Sequence, residues 1–212
     1  MRLDRAALSS LPDIEAAVAH LSSDKAGIRI FDNPVLARLL DLEGGIGNSL
    51  KPFVRAGAKP VRAILFDKSG SVNWALGWHQ DRTIAVMRRI DTFGFGPWTR
   101  KHTVVHVEPP FELVEQMITV RIHLDKVCDQ NAPLLIAVGS HRIGKIAVDN
   151  IEQAVDACQV VECTAERGDI WIYATPIIHA SAESKVNAHR RVLQVDYADF
   201  DLPNGLEWCG IQ

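Results

Sequence analysis

The chain reads as a mainly β protein, a sandwich or barrel with helices along one side. Three observations carry this reading. From Pro60 onward, short apolar or alternating runs are separated by turn residues, the pattern of strands in sequence. No βαβ alternation runs through that region, which argues against a parallel α/β sheet. Before it, residues up to Gly44 carry helical spacing and helix punctuation, which places helices on the outside of a sheet.

With 212 residues, 47% of them hydrophobic and 23% charged, the chain has room for one well-buried core. One domain over 1–212 is expected. Within it, 1–59 supplies helices and a loop that pack on a roll of strands over 60–200, and an insertion covers 88–110. A formal net charge of -3 gives no broad basic footprint, so nucleic acid is not an expected partner. The start Met1-Arg2-Leu3-Asp4-Arg5 lacks the apolar stretch of a signal peptide, and no later run is long enough to span a bilayer. A cytoplasmic protein without a membrane partner is expected. Cys128, Cys158, Cys163 and Cys209 form no CxxC pair, so reduced thiols are expected rather than a thiolate site.

Taken in order, a first helix starts near Pro12 and runs to about Leu21, with Ile14, Val18 and Leu21 as its apolar stripe. A second has Asn33 as N-cap, Pro34 in the first turn, Leu36, Leu39 and Leu40 on one face, and Gly44-Gly45 past its end. Gly44 to Lys59 reads as loop. Val61 to Asp67 is a strand, Lys68 to Ser71 a turn, and Val72 to Asp81 the returning strand of a hairpin. Arg88 to Pro110, with Phe93, Phe95 and Trp98 among its glycines and prolines, reads as a long irregular insertion and a candidate lid. Met117 to Asp125 alternates apolar and polar residues, with both faces open to burial. Leu134 to Val138, Val160 to Cys163, Ile170 to Ala174 and Val192 to Tyr197 are further strands. A short helix is expected around Asp149 to Cys158.

Chemistry first shows at Trp78-His79-Gln80-Asp81. On an extended strand, His79 and Asp81 point one way and Gln80 the other. One imidazole and one carboxylate can then reach a single metal ion. Two His and one carboxylate on one face of an octahedron suit Fe(II) that must keep positions open for other molecules. The third ligand is expected from a distant strand, where His179, just after an apolar run, is the best candidate. His123, inside a strand, competes with it. His20, His102, His106, His141 and His189 lie on a helix, in the insertion, in a turn or beside arginines. Arg190 and Arg191 open the last strand. Alternate facing turns one of them inward, where a buried guanidinium needs an anion such as the far carboxylate of a 2-oxo diacid.

Trp78-His79-Gln80-Asp81, Val120 to Asp125, Asn131 to Leu134, Gly139 to Gly144, Gly168-Asp169, His179-Ala180-Ser181 and Arg190-Arg191 appear in an order and at intervals that resemble the phytanoyl-CoA dioxygenase family. The resemblance covers about Pro60 to Tyr197. It implies a double-stranded β-helix, or jelly roll, and an oxygenase that uses Fe(II) and 2-oxoglutarate, with molecular oxygen and a small molecule as substrates. It also implies His79, Asp81 and His179 as metal ligands. The family's cosubstrate arginine lies eleven residues past the distal His, which selects Arg190. Ser181 matches a serine that bonds the same carboxylate, and Trp98 is the nearest match to a tryptophan at the cosubstrate. Ala132 and Val138 depart from the family's usual Gly and Pro.

By the same resemblance, 2-oxoglutarate is decarboxylated to succinate while a substrate C–H is hydroxylated, and the presence of Asp81 speaks against halogen transfer. Arg100 and Lys101, in the insertion, are candidate contacts to an anionic substrate. Arg121 either faces the cavity, toward substrate or cosubstrate, or pairs with Asp125. A cupin-like metal enzyme independent of 2-oxoglutarate would use the same roll but leave Arg190 without a task. A non-catalytic binding module is the other alternative.

Overall fold

The computed structural model describes residues 1–21, 24–101 and 103–211. His102 lies outside the described residues. In chain order the elements are β1 (Arg2–Leu3), α1 (Leu11–Val18), β2 (Gly27–Ile30), α2 (Pro34–Leu40), α3 (Gly47–Leu50), β3 (Lys59–Lys68), β4 (Leu76–His79), β5 (Ile84–Val86) and β6 (Trp98–Lys101). They continue with β7 (Val104–Val107), α4 (Phe111–Glu115), β8 (Ile118–His123), β9 (Leu134–Ala137), α5 (Ile151–Asp156), β10 (Val160–Cys163), β11 (Ile170–Ala174), β12 (His179–Ser181) and β13 (Arg190–Ala198). A six-stranded sheet runs β1-β11-β8-β13-β3-β2, a four-stranded sheet runs β10-β9-β12-β4, and β5-β7-β6 form a third. The first two make the expected jelly roll, with the helices outside.

Register sorts the large sheet into two faces. β13 sets Arg190 opposite Lys68, Gln194 opposite Ile64 and Asp196 opposite Arg62. Its other edge sets Val192 opposite His123, Gln194 opposite Arg121 and Asp196 opposite Thr119. Side chains at opposed positions share a face, so these residues line the inside of the roll. The alternate positions Ala63, Leu65, Val120, Ile122, Leu193 and Val195 form the outer face, in one apolar core with Leu11, Ile14, Leu36 and Leu40 of α1 and α2. Fully burying a side chain of this kind contributes roughly 1.5–3 kcal/mol. Both faces of β8 are therefore buried.

The N-terminal punctuation acts as expected. Asn33 Oδ1 accepts from the Leu36 amide at 2.9 Å, and its side-chain amide donates to the Ala17 carbonyl at 3.0 Å, joining α2 to α1. A Cβ on Gly44 would lie 2.0 Å from the Arg38 carbonyl oxygen, so only glycine allows the chain to turn there. Tyr197 donates to the Leu40 carbonyl at 2.8 Å and ties α2 to the sheet.

Four expectations are corrected. The segment 1–59 is not only helix and loop: β2 pairs with β3, β1 pairs with β11, and α3 forms inside the expected loop. The hairpin between Val61–Asp67 and Val72–Asp81 does not form, because β4 crosses to the other sheet and pairs with β12. The turn signal there was local, whereas the pairing partner lies far along the chain. The insertion is not irregular, since β6 and β7 pair and β7 pairs with β5. α1 also ends at Val18, before Leu21.

Candidate metal centre

His79 sits directly opposite His179 in the β4–β12 pair, with ring centroids 4.2 Å apart. Asp81 follows two residues on. One ligand atom from each of His79, Asp81 and His179 lies within 4.8 Å of the others, a spacing that fits one metal ion, and this is the one such group found among the described residues. His79 Nδ1 lies 2.8 Å from the Gly77 carbonyl and His179 Nδ1 lies 2.9 Å from the Ile177 carbonyl. A carbonyl can only accept, so both Nδ1 atoms carry a proton, which leaves Nε2 of each ring as the nitrogen available to a metal. Burial, with His79 adding to it and Asp81 opposing, pushes His179 down to about 4, so the ring is neutral at neutral pH.

Burial alone would raise the Asp81 carboxyl. The Arg62 guanidinium, helped by His179 and His79, outweighs it and holds the group at about 2. Arg62 Nη2 donates to Asp81 Oδ2 at 3.1 Å, its Nε pairs with Asp196, and Nη1 donates to the Thr83 carbonyl at 3.2 Å. Asp196 in turn accepts from the Thr119 hydroxyl at 2.8 Å. This chain of contacts aims Asp81 inward. Gln80 points the other way, as alternation predicts. Its amide donates to the Gly144 and Pro176 carbonyls and accepts from the Ile146 amide, each at 3.0 Å.

The triad opens on a cavity of about 330 Å³ between the two sheets. Arg190 lines it, is 2% exposed, and has no hydrogen-bond partner for Nε or Nη1. Burial, then the Arg121 charge, pushes its guanidinium down to about 9, with Asp67 opposing. Arg191 faces outward and pairs with Asp125 at 2.7 Å and Glu15 at 3.1 Å. Ser181 Oγ, also on the cavity, accepts from the buried Lys68 ammonium at 2.9 Å. Lys68 lies 4.8 Å over the Trp74 ring. Burial, then Arg190 and Arg121, pushes it down to about 7, with Glu183 opposing.

Arg121 lines the cavity and donates to Gln194 Oε1 at 2.7 Å, while the Asp125 offered as its alternative partner is held by Arg191. His123, the competitor for the distal position, lies outside the ligand group. Both its ring nitrogens are buried without partners, and burial, then Arg121 and Arg190, pushes it down to about 3.

Two expected contacts are not brought to the cavity. Trp98 packs in a separate apolar cluster with Ile84, Val86 and Val107, under the Arg89 guanidinium at 5.6 Å. Arg100 is exposed and also lies off the cavity, whereas Lys101 lines it. Alternation along β6 is the reason: Trp98 and Arg100 turn to one side and Lys101 to the other. Trp74 lines the cavity instead, a residue that sequence reasoning missed along with Arg29, Arg62 and Lys68. A signal did exist for Arg62 and Lys68, both at even positions of a strand whose other residues are mostly apolar.

The two departures from the family's usual residues also have structural meaning. Ala132 adopts φ 49°, a left-handed conformation that glycine takes without penalty. Val138 donates its backbone N–H to the Gln159 carbonyl at 2.8 Å, a bond proline cannot make.

Fold and site together define an oxygenase dependent on Fe(II) and 2-oxoglutarate. The chain belongs to the phytanoyl-CoA dioxygenase family, which its sequence matches over residues 46–192. Among curated proteins no sequence relative matches. Among solved structures, EctD from S. alaskensis with bound Fe has a TM-score of 0.64 at 16% identity, covering 100% of this chain and 76% of that one. The 2-oxoglutarate-dependent carbocyclase SnoK from nogalamycin biosynthesis has a TM-score of 0.63 at 15% identity, covering 100% and 83%. Apo HygX from Streptomyces hygroscopicus has a TM-score of 0.60 at 13% identity, covering 93% and 81%. At these identities the likeness is one of fold. No helix of the described residues is long and apolar enough to cross a membrane.

Proposed function

We propose that this chain hydroxylates a C–H bond of a small molecule, consuming oxygen and converting 2-oxoglutarate to succinate and CO2. His79, Asp81 and His179 would hold Fe(II), and Arg190 with Ser181 the far carboxylate of 2-oxoglutarate. The observation that carries the reading is a pairing on one cavity. Two imidazoles and a carboxylate converge there, and beside them a buried guanidinium has nitrogens with no partner.

The donor set fits the metal, because two His and one carboxylate leave three octahedral positions free. Bound Fe(II) would supply the centre at which oxygen and 2-oxoglutarate react. The protein's own groups do the rest. The Nδ1–H bonds hold both rings with Nε2 toward the cavity, Arg62 keeps Asp81 ionised and aimed, and Arg190 offers a planar fork to a carboxylate. Lys68 adds positive charge at the same end through Ser181. Arg190 gives the dependence on 2-oxoglutarate a physical basis that a cupin-like reading lacks.

Asp81→Ala tests the assignment. It is expected to lose Fe(II) on dialysis and to lower succinate release beyond the roughly 10- to 100-fold that loss of a ligand's outer partner costs. Metal retention and succinate release both at wild-type level would sink it.

A further inference from the structure

The cavity carries two groups of cations, and the proposed 2-oxoglutarate site accounts for only one of them. Lys68, Arg121 and Arg190 crowd one end. At the other, Arg29 and Lys101 line the same cavity near Asp81. Register explains how Arg29 arrives there: β2 sets it opposite Ile64, on the inner face between the cavity-lining Arg62 and Phe66. It is half-buried, and its Nε is enclosed without a hydrogen-bond partner. Lys101 comes from β6 and stands exposed at the rim. An N-terminal edge strand and the 88–110 segment, distant in sequence, thus bring two cations to one mouth. Asp81 is the carboxylate whose field reaches both, and Arg62 already holds it. Arg62 itself is matched by Asp81 and Asp196. That leaves Arg29 and Lys101 as the cations facing this end without an ion-pair partner among the described residues.

We propose that Arg29 and Lys101 bind the acidic head group, a carboxylate or phosphate, of the substrate. This rests on the reading of the opposite end as the 2-oxoglutarate site. A guanidinium fork recognises either group in two-point fashion, and a lysine adds a point charge. Size narrows the class further. A cavity of about 330 Å³ lies at the low end for ligand pockets and is shared with the cosubstrate, so the substrate is a small acid rather than a large conjugate.

The test uses the full chain loaded with Ni(II), a redox-inert stand-in for Fe(II), and saturating 2-oxoglutarate. Binding of hexanoate, 3-phenylpropanoate and butyl phosphate is measured by ligand-detected NMR and calorimetry. Each probe is paired with a neutral counterpart, the primary amide for the acids and butanol for the phosphate. At least one acid is expected to bind about tenfold or more tightly than its counterpart, a difference of about 1.4 kcal/mol. The responding arm identifies the head group. Arg29→Gln with Lys101→Gln is expected to remove the preference while 2-oxoglutarate affinity stays within about twofold, and Lys101→Gln alone, at the exposed rim, to lose part of it. The proposal is overturned if no probe binds, if acids and counterparts bind alike, or if the double variant keeps the preference. Failure of 2-oxoglutarate to bind the wild type would instead overturn the cosubstrate reading, and the anion preference measured without it still reports on Arg29 and Lys101.

Discussion

On its outer face the six-stranded sheet presents Ala63, Leu65, Val120, Ile122, Leu193 and Val195 to α1 and α2, while on its inner face the same strands present Arg62, Lys68, Thr119, Arg121, His123, Arg190, Gln194 and Asp196. Every one of these residues is at most 9% exposed, so burial does not distinguish the faces. Chemistry does. The outer face gains free energy from apolar burial, whereas a buried cation costs free energy unless a partner repays its desolvation. Arg62 has such partners in Asp81 and Asp196; Arg190 has none for two of its nitrogens. Stability is thus concentrated on one face and recognition on the other.

The most disruptive way to probe this contrast is to damage the outer face. Leu193→Ala is expected to lower the unfolding free energy by about 2–5 kcal/mol in denaturant titrations, with 2-oxoglutarate affinity of the folded protein unchanged. A comparable loss of affinity would mean that the faces are not separable.

Arg190→Met asks the converse question. It removes an unmatched buried charge, so 2-oxoglutarate binding by calorimetry is expected to weaken by about 2 kcal/mol or more while the thermal midpoint of the ligand-free protein holds or rises. A lower midpoint would show Arg190 acting as a structural residue.

The smallest effect is one of pH. With Lys68 at about 7 in the fold and near 10.5 when unfolded, the unfolded chain binds more protons between those values. Stability of the ligand-free protein therefore rises with pH across that window, by about 1 kcal/mol between pH 7 and 8 for this one group. Burial sets most of the shift, Arg190 and Arg121 add to it, and Glu183 opposes it. Lys68→Met is expected to flatten the slope, and an unchanged slope in unfolding free energy against pH would assign it elsewhere.

Much of this organisation is legible in the sequence. β10 and β11 fall at the residues their apolar runs mark, and β13 extends its run by a few residues at the ends. The alternation of β8 shows its two faces, because period two is a property of the strand itself. Asn33 and Gly44 punctuate α2 through contacts within a few residues. β2 and β12 were not legible: four and three residues are too few for periodicity, and they are strands because a neighbour supplies their hydrogen bonds. The missing hairpin has the same cause, since a turn motif does not say which sheet the next strand joins. Lys68 read as a turn residue, yet it ends β3 and lies fully buried.

The sequence by itself determined the residue types and their spacing: a His and an Asp two apart, a distal His, an arginine eleven residues beyond it, and strands whose alternate positions are polar. These follow from local geometry and from ordered motifs that survive in one dimension. Tertiary structure alone decided that His79 meets His179 across a strand pair, that Arg190 faces inward without a partner while Arg191 faces outward, and that Trp74 rather than Trp98 lines the cavity. It also brought Arg29 and Lys101 to one mouth. Such outcomes depend on register between strands far apart in the chain, where a shift of one residue would turn every side chain to the other face.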